Sequence, residues 1–373
     1  MPSDNQRLAL LPVGRTGRPD RPSLLLTGGS GVLGRALIDE LSPDFDLLCL
    51  RRDTPLGDPR VRELRGDLVA PRLGLSPLAW HELALEVDVV LHCAAETNWR
   101  ARPEDITRTN LRGADTMLDL AARADAPLYL VSTAFVANTP TEEDRRRFPG
   151  AAAHLDSRAG AEQLTREAGV PGAIVRPSVV MGDSVSGRIA GQQGLTRAIG
   201  SMVLGQAPVL PGTPDTRIDM VPRDHVSRAI GDLVRGGVAD GEYWLTAGKE
   251  ALCLREFADV CADVAVRHGL PRPRRPRFVP LDAVHRLLLP MPEGTALPAS
   301  LRRRLEYCAE LLPVFQRDLP FATSLGEPDC GTRLTRTDIR AALVRNAERW
   351  AGDRAGLLSR NRSATTAPME VAS

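Results

Sequence analysis

Short apolar runs alternate with longer amphipathic stretches through the first half of the chain. Residues 23–26 lead into a glycine-rich turn, after which the spacing over 32–41 is helical. Residues 46–50, 87–92 and 128–132 are further apolar runs of strand length, and a shorter one precedes Gly66. Between the last two long runs, Leu111, Met117, Leu118, Leu120 and Ala121 fall at helical spacing, which predicts a helix over 106–124. Near-continuous apolar strands separated by helices form a parallel sheet covered on both faces. The pattern predicts an α/β fold with a doubly wound, Rossmann-like parallel sheet.

After Gly172 the regularity breaks. Residues 173–177 read as one more strand, ending at Pro177, and a helix over 224–234 with a strand over 243–246 reads as a return to the sheet. The rest is punctuated by proline and mostly helical, with its best helices over 254–268, 300–315 and 337–350; Ala342, Leu343 and Ala347 line one face of the last. The expected organisation is a disordered segment over 1–22, a dinucleotide-binding core over 23–183 completed by about 219–249, a smaller helical substrate-binding subdomain from 184–218 and 250–357, and a disordered tail over 358–373. No period of 20 to 50 residues recurs, which argues against solenoids and propellers.

Charge and composition narrow the function classes. Lys and Arg total 48 against 47 Asp and Glu in 373 residues, so no net field draws in nucleic acid or an anionic membrane surface. No apolar run approaches the roughly 18 residues of a membrane span. Six cysteines lie scattered without a C-x-x-C pair, and the polar, proline-rich N-terminus has no apolar signal core, so the expectation is reduced thiols, a cytoplasmic location and no metal site. One of the 48 cationic side chains, Lys249, is lysine, and the tyrosines number three.

The first chemistry-bearing motif is Thr27-Gly28-Gly29-Ser30-Gly31-Val32-Leu33-Gly34, placed between a predicted strand and a predicted helix. Glycines there let the backbone turn tightly and approach a pyrophosphate, whose charge rests on the free N–H groups at the helix start. The second strand ends at Arg51-Arg52. An acidic residue at that place suits the ribose hydroxyl of NAD, whereas arginine accommodates the 2′-phosphate of NADP, so NADP(H) is expected over NAD(H). Asp67, followed by Leu68, could reach the adenine amino group, although Gly-Asp is also an ordinary turn.

Further motifs follow in order: Leu91-His92-Cys93-Ala94-Ala95-Glu96-Thr97-Asn98-Trp99, Thr109-Asn110-Leu111-Arg112-Gly113, Ser132-Thr133-Ala134-Phe135-Val136, a run from Arg176-Pro177-Ser178-Val179 to Ser184, and Ile218 to Val226. With the glycine turn they resemble the extended short-chain dehydrogenase/reductase superfamily. More narrowly, they look like its thioester-reductase and fatty-acyl-reductase branch, the male-sterility type, over about residues 23–325. The resemblance implies that Cys93, Ala94 and Ala95 pass under the nicotinamide, that Pro177 and Val179 flank the cofactor, that Asn110 belongs to the catalytic and cofactor-binding set, and that Thr133 holds the substrate carbonyl. Glu96, Asn98, Trp99 and Phe135 would border the substrate. His92, inside a strand, reads as a buried structural histidine.

The same resemblance implies a Tyr-x-x-x-Lys pair opening the helix after the fifth strand. The matching stretch here is His154-Leu155-Asp156-Ser157-Arg158-Ala159-Gly160-Ala161-Glu162, with His154 for tyrosine and Arg158 for lysine. Tyr129, Tyr243 and Tyr307 lie elsewhere, and none has a lysine four residues on. At i, i+4 the two side chains share one helical face. A guanidinium beside the imidazole lowers its pKa, which favours a base or hydrogen-bonding group over a proton source. Arg158 remains suited to a ribose, a carboxylate or a phosphate.

Three functions stay open. The first is an NADP(H)-dependent oxidoreductase for a carbonyl or acyl-thioester substrate, brought in on a carrier protein or coenzyme A, in a stand-alone biosynthetic tailoring role with His154 in place of the tyrosine. The second is non-redox chemistry, such as cyclisation, dehydration, isomerisation or acyl transfer, with His154 as general base. The third is cofactor binding without catalysis.

Overall fold

A computed structural model describes residues 21–189, 194–279 and 320–365, with side chains described to residue 354. The helix expected over 300–315, most of the first segment and the last eight residues lie outside these. In chain order the elements begin β1 (Ser23–Thr27), α1 (Val32–Leu41), β2 (Asp46–Arg51), β3 (Val61–Arg65), α2 (Pro77–Glu86), β4 (Val89–His92), α3 (Pro103–Ala124) and β5 (Leu128–Val131). They continue α4 (Glu142–Arg147), α5 (Pro149–Glu167), β6 (Gly172–Pro177), β7 (Val179–Met181), α6 (Gly194–Val203), β8 (Val209–Pro211), β9 (Arg217–Ile218), β10 (Met220–Pro222) and α7 (Arg223–Arg235). The last are β11 (Glu242–Leu245), β12 (Leu252–Cys253), α8 (Leu254–Arg267), β13 (Arg277–Val279) and α9 (Arg336–Thr365).

Seven strands form one parallel sheet in the order β3-β2-β1-β4-β5-β6-β11. Its strands are apolar on both faces because each face has its own core. Leu24 and Leu26 of β1, Leu47 and Cys49 of β2 and Leu91 of β4 pack with Leu37 and Ile38 of α1 and Ile230 and Leu233 of α7. The alternate residues Leu25, Leu48 and Val90 pack with Leu83 of α2 and Met117 and Leu118 of α3. Period-two alternation between two hydrophobic clusters is what a strand covered on both sides requires. The chain runs outward from β1 to β3 and then crosses to β4, so strand order reverses between β1 and β4. A crevice at the carboxyl ends of such strands is where this architecture receives ligands.

Beyond the sheet, α8 and α9 share the first core through Val260, Cys261, Val264, Ile339, Ala342 and Leu343. Asn346 of α9 accepts the Gly182 N–H at 2.7 Å, tying the helix to the end of β7. Two features correct the sequence reading. The region expected to be mostly helical also carries short strand pairs, β8 with β13 and β9 with β12, whose two or three residues are too few to show a period. Helix α9 continues to Thr365, past Leu358, where the chain was expected to fray.

Candidate active site

The sheet's switch point presents the glycine turn. Gly28 has φ +77°, and a Cβ there would lie 2.8 Å from the Ala94 backbone nitrogen, so only glycine fits between β1 and the loop after β4. A Cβ on Gly34 would run into the Gly28 carbonyl. Gly31 caps α1 without a side-chain bond, and the first turn holds no acidic residue. Its first helical bond runs from the Arg35 N–H to the Gly31 carbonyl, which leaves the N–H groups of Val32, Leu33 and Gly34 without an intrahelical acceptor. Ser30 and Gly31 are exposed, so this positive helix end is open to an anionic group.

Beneath the turn, the Thr27 hydroxyl accepts the Ala94 N–H at 3.0 Å and lies 2.7 Å from His92 Nδ1. The Thr27 hydroxyl can donate to Nδ1 or accept from it, and His92 Nε2 is buried without a partner. Burial, and secondarily the Arg158 charge, push His92 down to about 3. It is a neutral structural residue. Burial lifts the Cys93 thiol to about 11, which removes it as a nucleophile at neutral pH.

Helix α5 carries His154, Arg158 and Glu162 at intervals of four, and all three are buried on one face. The Glu96 carbonyl, 3.3 Å from His154 Nδ1, can only accept, so Nδ1 carries the ring proton and Nε2 keeps a bare lone pair. Burial first, and then the Arg158 charge, bring His154 down to about 4, against the upward pull of the Glu96 bond. The Trp99 ring lies 5.9 Å from the imidazole, tilted by 44°, and Trp99 Nε1 is buried without a partner.

Arg158 is 3 % exposed and its Nη1 has no hydrogen-bond partner. Burial lowers its pKa to about 10, opposed by Cys93 and Glu162, so it stays cationic at neutral pH. Glu162 does not neutralise it directly. That carboxylate accepts Ser132 Oγ at 2.6 Å, Arg176 Nε and Nη2 at 3.0 and 2.6 Å, and Arg166 Nη2 at 2.9 Å. A buried cation with an orphaned donor is costly unless a ligand supplies the acceptor.

Asn110, expected among the catalytic and cofactor-binding residues, is hydrogen-bonded on both sides of its amide. Its Oδ1 accepts the Glu96 N–H at 2.8 Å, and its Nδ2 donates to Ser157 Oγ at 2.9 Å and to the Glu96 carbonyl at 3.5 Å. Ser157 Oγ in turn donates to the His154 carbonyl at 3.0 Å. The amide thus fixes the Glu96 loop and α5 together, holding both sides of the His154 bond. Thr133, half-buried, accepts the Phe135 N–H at 3.4 Å, leaving its hydroxyl proton for a ligand oxygen.

Phe135 meets Phe321 edge-on at 5.5 Å, and Phe321 stacks on Trp244 at 6.0 Å, giving an aromatic wall beside Leu155 and Trp99. Glu96 and Asn98 turn their side chains back into their own loop, Glu96 Oε1 accepting the Asn98 N–H and Asn98 Oδ1 the Arg100 N–H. Pro177 is buried at the end of β6 and Val179 opens β7, while Ala95 is half-buried in the loop after β4.

At the far end of the crevice, Arg51 is committed to Glu63 at 3.0 Å and to the carbonyls of Arg52 and Asp53. Arg52 is 78 % exposed and meets Asp53 at 3.5 Å. Asp67 Oδ1 accepts the Val69 N–H at 3.1 Å, leaving Oδ2 open, and Leu68 packs at the edge of the second core. Sequence reasoning missed the bracing by Ser157 and the Glu162 hub. Both lay inside the quoted helix motif at intervals of three and four from His154 and Arg158, which was the available signal. Among the described residues no group of three or more potential ligands is placed to hold a metal, and no helix is long and apolar enough to cross a membrane.

A family model described as Male sterility protein matches residues 51–230. The chain is 30 % identical over 261 residues to a hybrid PKS-NRPS synthetase of Talaromyces variabilis, covering 65 % of this chain and 6 % of that protein. It is 32 % identical over 252 residues to the glycine betaine reductase of Emericella nidulans, covering 57 % of this chain and 20 % of that protein. The chain therefore spans a small part of these relatives. Among solved structures, the terminal R domain from the myxalamid PKS-NRPS biosynthetic pathway superposes with a TM-score of 0.64 at 25 % identity, covering 90 % of this chain and 92 % of that one. The reductase domain of a Mycobacterium tuberculosis nonribosomal peptide synthetase shares the fold, with a TM-score of 0.56, 23 % identity, and 88 % and 92 % of the two chains covered.

Proposed function

Because the chain is an extended short-chain dehydrogenase/reductase of the thioester-reductase-like branch, we propose that it is an NADP(H)-dependent oxidoreductase acting on a carbonyl or acyl-thioester substrate. When bound, the nicotinamide supplies or accepts a hydride. The observation that carries the reading is Arg158, a buried guanidinium whose Nη1 lacks an acceptor, on the same helix face as His154. The residues present fit the cofactor: the open start of α1 and the Gly28 turn suit its pyrophosphate, and Arg158 offers donors to its ribose or to a substrate oxygen.

At the reacting end, Thr133 and Arg158 are the donors for a developing oxyanion, and they cost no reorganisation because the fold already holds them. His154 takes a hydrogen bond at Nε2 and excludes water together with Trp99. The acyl group lies against the Phe135 and Phe321 wall and arrives on a carrier protein or coenzyme A. One observation favours the second reading, non-redox chemistry with His154 as general base: its Nε2 lone pair is bare and its tautomer fixed by the Glu96 carbonyl.

The test is to titrate the purified chain with NADPH by nicotinamide fluorescence and to follow nicotinamide absorbance with a panel of aldehydes and acyl-coenzyme A thioesters. The redox reading expects saturable binding and consumption with at least one acyl substrate, reduced about tenfold or more in Arg158→Met. Binding without consumption across the panel would leave the non-redox reading and cofactor binding without catalysis, which His154→Ala separates, because a binding module tolerates it.

A further inference from the structure

Among the described residues four large apolar side chains stand exposed, and two of them, Leu78 at 67 % and Leu85 at 71 %, belong to α2. Seven residues make two turns, so both lie on one line of the helix, with His81 and Glu82 between them at i+3 and i+4. This stripe lies opposite the side on which Trp80, Leu83 and Ala84 are buried against the sheet. Helix α2 is therefore apolar on two opposite sides, a pattern that suits a helix covered on both. We propose that the outer stripe of α2, Leu78, His81, Glu82 and Leu85, is the contact through which two copies of this chain pair, antiparallel about a twofold axis. The inference does not depend on the reaction proposed above.

The stripe is complementary to itself. A twofold contact is isologous, so that where one residue meets a second, the second meets the first. Setting Leu78 against Leu85 of the second copy puts the axis midway between His81 and Glu82. Each His81 then faces Glu82 of the second copy, an N–H donor against a carboxylate, and leucine meets leucine on either side. A parallel pairing would set His81 on His81 and Glu82 on Glu82, like on like. Within the chain neither His81 nor Glu82 has a hydrogen bond or ion pair among the described residues, so both are free to make one. The ends of α2 favour the same order. Its start borders a cavity of about 400 Å³ in which Arg123 is paired with Asp119 but Arg72 has no ion pair among the described residues. Antiparallel alignment brings the end that carries Glu82 and Glu86 of the second copy toward that arginine, and it opposes the two helix dipoles. One helix pair is smaller than the roughly 800 Å² per partner of a standard stable interface, so the expected dimer is weak, with a Kd of about 10 to 100 μM.

The test is sedimentation velocity of the purified full chain from about 1 to 300 μM, a range that brackets the expected affinity. The parent protein should pass from monomer to dimer as concentration rises. Leu85→Glu, which sets an unpaired carboxylate against Leu78 of the second copy, should weaken association about tenfold or more. Because residue 85 is exposed in the monomer, circular dichroism and Tm of that variant should match the parent. His81→Glu, which sets like charges face to face, should weaken association about fivefold, and adding Glu82→Arg to it should restore the dimer. A parent protein that stays monomeric throughout the range would overturn the proposal and leave the stripe to another partner or to solvent. Dimerisation that neither Leu85→Glu nor His81→Glu alters would overturn it by placing the contact on another face. Failure of His81→Glu with Glu82→Arg to restore a dimer that both single variants weaken would overturn the antiparallel register.

Discussion

A neutral imidazole beside a fixed cation can receive a hydrogen bond far more readily than it can deliver a proton. His154 is held in that state by two causes of different size: burial, the larger, and the Arg158 guanidinium four residues on, with the Glu96 carbonyl pulling the other way. The ranking makes a prediction. Arg158→Met should raise the His154 pKa from about 4 toward its ordinary 6.5 without reaching it, because burial remains. Nitrogen-detected NMR of the imidazole through a pH titration measures this directly, and in the parent protein it should show the proton on Nδ1 and none on Nε2 at pH 5 to 8. An unchanged midpoint in Arg158→Met would mean that the charge is not a cause. On the proposed reading, His154 and Arg158 in place of a Tyr-x-x-x-Lys pair alter the proton inventory of the site, with Thr133 and Arg158 as its donors.

Helix α5 acts as one unit because its buried face is pinned at both ends. Near its start, Asn110 and Ser157 tie it to α3 and to the Glu96 loop. Further along, Glu162 gathers Ser132 from the end of β5, Arg166, and Arg176, which also pairs with Glu242 at 2.7 Å and covers the Trp244 ring at 4.7 Å. Removing one partner of a buried ion pair leaves the other uncompensated, so Glu162→Ala should destabilise the fold by about 3–5 kcal/mol. The apolar double variant Glu162→Leu with Arg176→Met should recover much of that loss. Denaturant unfolding of the three proteins measures both, and a Glu162→Ala cost below about 1 kcal/mol would show the network to be slack. The shared face of His154 and Arg158 was legible in the sequence because i, i+4 spacing is local. So was the Gly28 turn, whose flanking strand and helix are periodic. The Glu162 hub was not, since Ser132 and Arg176 reach it from the end of β5 and from β6, Glu242 of β11 joins through Arg176, and no spacing rule links them. Nor could spacing show that Arg51 is spent on Glu63, because that depends on the register of β2 against β3.

Across the whole molecule, burial of neutral histidines sets how stability responds to acid. His92, His154 and His225 all sit below their ordinary value of 6.5, to about 3, to about 4 and downward respectively, with burial the leading cause in each. The unfolded chain takes up protons at these rings as pH falls through 6.5, whereas the folded protein refuses them until far lower. Unfolding therefore binds protons in that interval, and stability is lost as pH falls, at up to about 1.4 kcal/mol per pH unit for each fully buried ring. The window runs from 6.5 down to about 4.5. Below it, Asp183, Glu242 and Glu256, whose folded values are depressed, begin to add their own loss in the same direction. Asp219 works the other way, since burial raises its pKa and its ionised form costs stability at higher pH. Calorimetric melting at steps between pH 7.5 and 4.5 should show Tm falling steadily below pH 6.5. His92→Gln, which keeps a polar group near the Thr27 hydroxyl but cannot titrate, should flatten that fall even if it lowers Tm at pH 7.5. A Tm that holds level from pH 6.5 to 4.5 would mean that these rings accept protons in the folded state, and the neutral reading of His92 and His154 would fail with it.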